Sequence, residues 1–144
     1  MIGKQTKGTS FSGCVCYVLR EDKSKLLEAV GVEGTPEQMA EQFELQTLLN
    51  DKVKNTVGHT SLNFSPEDGE RLKTDDALML QIAHDYMAKM GIENTQYIVA
   101  RHTDREHPHC HIVFNRVDND GKTISDKNDF YRIEKVWKMP TAKY

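Results

Sequence analysis

The sequence predicts an α+β domain built on a largely antiparallel sheet. Three observations predict it: apolar residues recur with period 2 in some segments and period 3.6 in others, turn residues join several period-2 segments as hairpins, and the order of elements is mixed instead of a regular βαβ alternation. At 144 residues the chain is one domain's worth, long enough to bury its own core.

MIGKQ, at the start, reads as a short strand. SFSGCVCYVLRED follows, with Phe11, Cys14, Val15, Val18 and Leu19 on one helical stripe and Tyr17 at its edge. LLEAVGVEG is a short strand punctuated by glycine, and Thr35 then caps a helix with Pro36 at its first position, running through EQMAEQFELQTLLND. TVGHTSLNFS alternates, with Leu62 and Phe64 on one face and His59, Ser61, Asn63 and Ser65 on the other. SPEDGERL opens a short helix, and Thr74 is placed to cap DDALMLQIAHDYMAKM, which ends at Gly91. Gln96 to Thr103 and Cys110 to Val117 read as strands joined through REHP, VDNDGKTIS as the turn of a further hairpin, and FYRIEKVW from Asp129 as a last helix broken at Pro140.

Composition narrows the functional classes. No apolar run approaches the roughly 18 residues of a membrane span, and MIGKQTKGTSF lacks the apolar core of a signal peptide, so a cytoplasmic chain without membrane insertion is expected. Cys14, Cys16 and Cys110 are odd in number and form no CxxC pair, so reduced, mostly buried thiols are expected. The net charge of −3 is uneven: residues 27–95 carry thirteen acids against five Lys or Arg, whereas both ends carry an excess of cations. Two basic ends meeting in the fold would form a mildly basic face.

RHTDREHPHCHIVFNRV, residues 101–117, holds four of the six histidines. His109 and His111 flank Cys110 on a strand, so their rings project from one face about 7 Å apart at the backbone. His107 lies about 13 Å from His111 on an extended strand, with Pro108 disturbing the ladder between them. His102 is better placed, because REHP folds its strand back alongside and cross-strand partners stand about 5 Å apart. His102, His109 and His111 are therefore the expected metal ligands. Three neutral imidazoles without a thiolate leave coordination positions open, as a catalytic site requires, and Asp104 is within reach as a hydrogen-bond partner for a ring nitrogen. A metal with an open face needs a substrate, and Tyr17 suggests one: a phenol becomes a competent nucleophile when a metal or positive charge stabilises its anion or a base removes its proton. The same metal would polarise a phosphodiester.

These stretches resemble a known family. RHTDREHPHCHIVFNRV resembles the histidine-rich third motif of conjugative relaxases, the mobilisation nucleases of the HUH endonuclease class; SFSGCVCYVLRED resembles their first motif, and GHTSLNFSPED their second. The likeness is to plasmid and transposon mobilisation relaxases and the T-DNA border-nicking relaxase. It implies a five-stranded antiparallel HUH sheet flanked by helices, single-stranded DNA at an origin of transfer as substrate, and a bacterial, cytoplasmic role with accessory mobilisation proteins and a type IV coupling protein as partners. Tyr17 would be the nucleophile, forming a 5′-phosphotyrosyl intermediate, and His102, His109 and His111 would hold Mg²⁺ or Mn²⁺. His59 and Ser61 would orient phosphate or tyrosine, with Asp104, His107 and Asn115 in support.

An acidic chain that holds a polyanion needs local cations, since phosphate neutralisation dominates affinity. Lys4, Lys7, Arg20, Arg105 and Arg116 are the expected DNA contacts. Residues 1–144 are expected to be a catalytic domain from a longer protein, with WKMPTAKY as an early stop. Three other readings stay open here. Rolling-circle replication initiators place their tyrosine after the histidines with a lysine one turn on, as Tyr131 and Lys135 stand in YRIEK. A three-histidine metal could also serve a small-molecule enzyme, or merely organise a DNA-binding surface.

Overall fold

A computed structural model describes residues 2–20, 22–103 and 108–125, in the order β1 (Ile2–Gly8), α1 (Phe11–Val18), β2 (Ser24–Val30), α2 (Pro36–Thr47), β3 (Val57–Asn63), α3 (Pro66–Leu72), α4 (Asp76–Met90), β4 (Tyr97–His102) and β5 (His109–Asn115). The five strands form one sheet in the order β1-β3-β5-β4-β2, every neighbouring pair antiparallel. This is the α+β, HUH-type architecture expected from the sequence.

Helices cover both faces. On one, α1 and α2 bury Phe11, Val15, Val18, Met39, Ala40 and Phe43 against Val57, Ile98, Ala100 and Val113 of the sheet. On the other, α4 packs Met79, Ile82, Tyr86 and Met90 against Leu62, Val99, Cys110, Ile112 and Phe114. β5 is central and all seven of its residues are buried. Each large apolar side chain removed from water contributes about 1.5–3 kcal/mol, so the two clusters clamp β5 from both sides. Phe11 and Phe43 stack with ring centroids 4.7 Å apart, tying α1 to α2.

Local chemistry sets the element ends. Ser10 caps α1, accepting from Gly13 N at 3.2 Å. Thr35 and Gln38 form a complete capping box at the start of α2. This helix stops at Thr47, short of the expected Asp51, because the amides of Leu48, Leu49 and Asn50 bond back three residues to tighten the chain into turns. The cap of α4 is Asp75, not Thr74: the Asp75 carboxylate accepts from Leu78 N at 2.9 Å, the three-residue offset that an N-cap requires. Gly91 ends that helix with φ of +74°. β2 begins at Ser24, earlier than LLEAVGVEG suggested, and gives way at Gly31, φ +76°. The VDNDGKTIS turn reaches only a single bridge, Val117 with Thr123. The expected helix from Asp129, with Tyr131 and Lys135, lies outside the described residues, as do Asp104, Arg105 and His107.

Gly58 lets Phe114 pack on the sheet face opposite the histidines. A Cβ there would come within 2.2 Å of Phe114 Cζ, so the bare backbone lets that ring lie against β3. Among the described residues no helix is long and apolar enough to cross a membrane.

Candidate active site

The register of the sheet arranges the polar residues of one face as rows crossing the strands. The first row reads Asn63, His109, His102 and Ser24; the next reads Lys4, Ser61, His111 and Ala100; the third reads Thr6, His59, Val113 and Ile98. Cross-strand neighbours on one face stand about 5 Å apart, so antiparallel pairing brings together histidines that are distant in sequence. His102 stands directly opposite His109, as the hairpin argument required. Ala100 stands opposite His111, and with only a methyl group there the His102 and His111 rings approach to 3.9 Å between centroids.

His102, His109 and His111 are all buried, and one ring nitrogen of each lies within 4.8 Å of the others. Outer partners orient two of the three rings. His102 Nε2 lies 2.8 Å from the Val18 carbonyl oxygen and donates to it, which leaves the Nδ1 lone pair for a ligand. His111 Nδ1 lies 2.8 Å from His59 Nε2, and burial, then the nearby charge of His102, hold His59 below the usual imidazole range. In the tautomer where His111 Nδ1 donates to His59 Nε2, the His111 Nε2 lone pair faces the cluster, 3.2 Å from His109 Nδ1. Two nitrogens bound to one ion at about 2.1 Å and roughly 90–109° apart are about 3.0–3.4 Å from each other. His109 and His111 therefore have the spacing of two donors to one divalent ion, and His102 offers a third nitrogen within 4.8 Å of both. Cys110, between the two strand histidines, points to the opposite face of the sheet and so cannot reach their ion; burial there pushes its thiol up to about 12.

Tyr17, in the last turn of α1, stands over this cluster. Its ring centroid is 5.8 Å from that of His102, 6.0 Å from His111 and 6.4 Å from His59. Whereas Phe11, Val15 and Val18 of α1 are fully buried, Tyr17 is 46% exposed. The Arg20 guanidinium lies 4.8 Å from its ring centroid. Tyr17, His59, His109 and His111 line an open cleft of about 310 Å³ with Lys4, Thr6, Ser61 and Asn63.

The profile of the relaxase family, MobA/VirD2-like, nuclease domain, matches residues 17–144. The chain belongs to this relaxase family. No match was found among curated proteins or among solved structures. Membership makes this relaxase domain a DNA-nicking enzyme that binds single-stranded DNA, and its buried histidine triad a divalent-metal site.

Not every residue singled out in the relaxase sequence reaches the cleft. Asn115 lies four residues beyond His111 on β5 and is wholly buried, its Nδ2 donating to Phe43 O and Gln96 Oε1, both at 2.9 Å, and its Oδ1 accepting from Val117 N. It braces the far end of the sheet. Arg116 is also buried, donating to Asn55 O at 2.8 Å and Ile124 O at 3.1 Å, so it is turned inward and not toward DNA. Strand alternation puts Lys7 on the opposite face of β1 from Lys4 and Thr6. Of the thiols only Cys110 is fully buried; Cys14 and Cys16 are half-buried, because they lie at the edge of the α1 stripe. Thr6 and the Val18 carbonyl were missed from sequence, and Asn63, though read on the polar face of its strand, was not singled out as a site residue. Alternation already aligned Asn63 with His59 and Ser61; the other two depend on strand register and helix docking.

Proposed function

We propose that this relaxase domain nicks one DNA strand at an origin of transfer by tyrosine transesterification, with Tyr17 as nucleophile. The observation that supports it most directly is the Tyr17 ring standing 5.8–6.4 Å from three histidine rings in a cleft open to solvent. In the proposed step the Tyr17 phenolic oxygen attacks the scissile phosphorus and gives up its proton to the solvent side of the cleft. A phosphorus–oxygen(tyrosine) bond forms as the phosphorus–O3′ bond breaks. The departing O3′ takes up a proton, and the protein remains esterified to the 5′ end.

His102, His109 and His111 would hold the ion, Mg²⁺ or Mn²⁺, with Val18 O and His59 setting the ring orientations. When bound, that ion supplies Lewis-acid polarisation of the phosphate oxygens. Ser61, between Lys4 and His111 in the second row, faces the cleft and is placed to donate to phosphate. Arg20, stacked on the nucleophile's ring, holds it over the cluster and brings positive charge near the phenol. Because phosphotyrosine keeps the phosphoester bond, the strand can be rejoined, which suits mobilisation in the bacterial cytoplasm with accessory and coupling proteins as partners. Residues 1–144 would act as the catalytic domain of that system.

The test is incubation with Mn²⁺ and a pool of single-stranded oligonucleotides from candidate transfer origins, followed by denaturing gel electrophoresis. The expected result is a denaturation-resistant protein–DNA adduct that disappears in Tyr17→Phe. An adduct that survives Tyr17→Phe and is lost in Tyr131→Phe would transfer the nucleophile's role to the later tyrosine.

A further inference from the structure

Relaxase chemistry places a second negative charge problem beside the nucleophile: the non-bridging oxygens of the scissile phosphate gain charge as the new bond forms, and the chain as a whole is acidic. The structure sorts the candidate cations. Arg116 is committed to Asn55 and Ile124, Arg101 to Asp76, and Arg20 to the Tyr17 ring, while Lys7 lies on the far face of β1. Lys4 differs from all of them. Among the described residues it is the only lysine or arginine that lines the cleft, and no carboxylate lines it.

Position gives this charge a direction. Lys4 pairs with Ser61, and Ser61 pairs with His111, so the three side chains form one row on the same sheet face, two steps of about 5 Å from lysine to metal ligand. Tyr17 lines the same cleft from above. A phosphodiester seated against the histidine cluster, with its phosphorus open to Tyr17, therefore has Lys4 on the side away from His102. β1 is an edge strand, which leaves the lysine stem free to follow the phosphate without disturbing the core.

We propose that Lys4 is a catalytic residue of this site, its ammonium meeting a non-bridging oxygen of the scissile phosphate opposite the histidine triad. The phosphate is thus clamped from two sides, and the lysine stabilises the charge that develops as the tyrosine oxygen bonds to phosphorus and O3′ departs. No proton is transferred by the lysine; it acts as a fixed charge. This rests on the Tyr17 reading of the site.

The experiment compares adduct formation by wild type, Lys4→Met and Lys4→Arg over a range of oligonucleotide concentrations at saturating Mn²⁺, with Mn²⁺ affinity measured separately. Lys4→Met is expected to slow adduct formation at saturating DNA by about 100-fold, the scale of losing one donor to a developing oxyanion. Its Mn²⁺ affinity and half-saturating DNA concentration should stay near wild type, and Lys4→Arg should recover most of the rate. Lys4→Met at wild-type speed, or weakened only in its DNA concentration dependence, overturns the catalytic role while leaving Tyr17 as nucleophile. A wild-type protein whose adduct does not require Tyr17 overturns the nucleophile assignment and this inference together.

Discussion

His102 donates through Nε2 to the carbonyl oxygen of Val18 at 2.8 Å, which fastens the histidine cluster to the residue beside Tyr17. A ring held to a backbone carbonyl cannot rotate freely, so its second nitrogen is aimed before any ion arrives. The same bond satisfies one of the carbonyls left without an intrahelical partner at the end of α1.

His102→Ala should therefore do two things that His109→Ala does only in part. Both variants are expected to lose Mn²⁺ affinity by at least about 100-fold, as measured by calorimetric titration. His102→Ala also frees the end of α1, so with Mn²⁺ added to saturation it should form adduct more slowly than His109→Ala. Equal rates at saturating metal would show that the Val18 contact does not position Tyr17, the proposed nucleophile.

His59 is expected to tune the metal without binding it. Its Nε2 orients His111 at 2.8 Å, and removal of such an outer partner costs about 10–100-fold in affinity. Titration of His59→Ala with Mn²⁺ should give a loss in that range, smaller than for His102→Ala, His109→Ala or His111→Ala. A loss as large as that of His111→Ala would make His59 a ligand itself.

Asn115→Ala should affect stability while sparing chemistry. The side chain satisfies two acceptors and one amide in the interior, and its truncation leaves them buried without partners. A loss of about 2–4 kcal/mol is expected from urea unfolding. Adduct formation by the folded fraction should match wild type, because Asn115 lies outside the cleft.

Acid should weaken the fold partly through Asp76. Hydrogen bonding from Lys25, then from Arg101 Nε at 2.8 Å, holds its carboxyl below the ordinary range, while partial burial opposes the shift. The folded state binds that proton less readily than the unfolded chain, so the contribution is complete above the unfolded value and fades as pH falls below about 4. Solvent screens this partly exposed group, which keeps the effect small. Urea midpoints should fall less steeply with acid in Asp76→Asn than in wild type.

Much of this was legible in the chain itself. Helical stripes, cap residues and alternation along β3 are local, and their chemistry acts within a few residues, so the elements and the Thr35 and Gly91 signals could be read directly. His109 and His111 had to share a face because the strand period is two. The hairpin logic then pointed to His102, and His102 does pair with His109. Asp75 displaced Thr74 as a cap because neighbouring polar residues compete for the same amides, and only backbone geometry resolves that competition. The tertiary structure decided the rest. β1 and β3 pair across more than fifty residues to bring Lys4 beside Ser61, α1 docks so that Tyr17 covers the histidines and Val18 O meets His102, and Arg116 and Asn115 turn into the interior. Residue type and period determine which face a side chain takes, because those are properties of the local backbone. Which faces meet is a property of the packed sheet and helices, where the burial of Phe11, Phe43, Val113 and Ile98 selects one register and one docking among many.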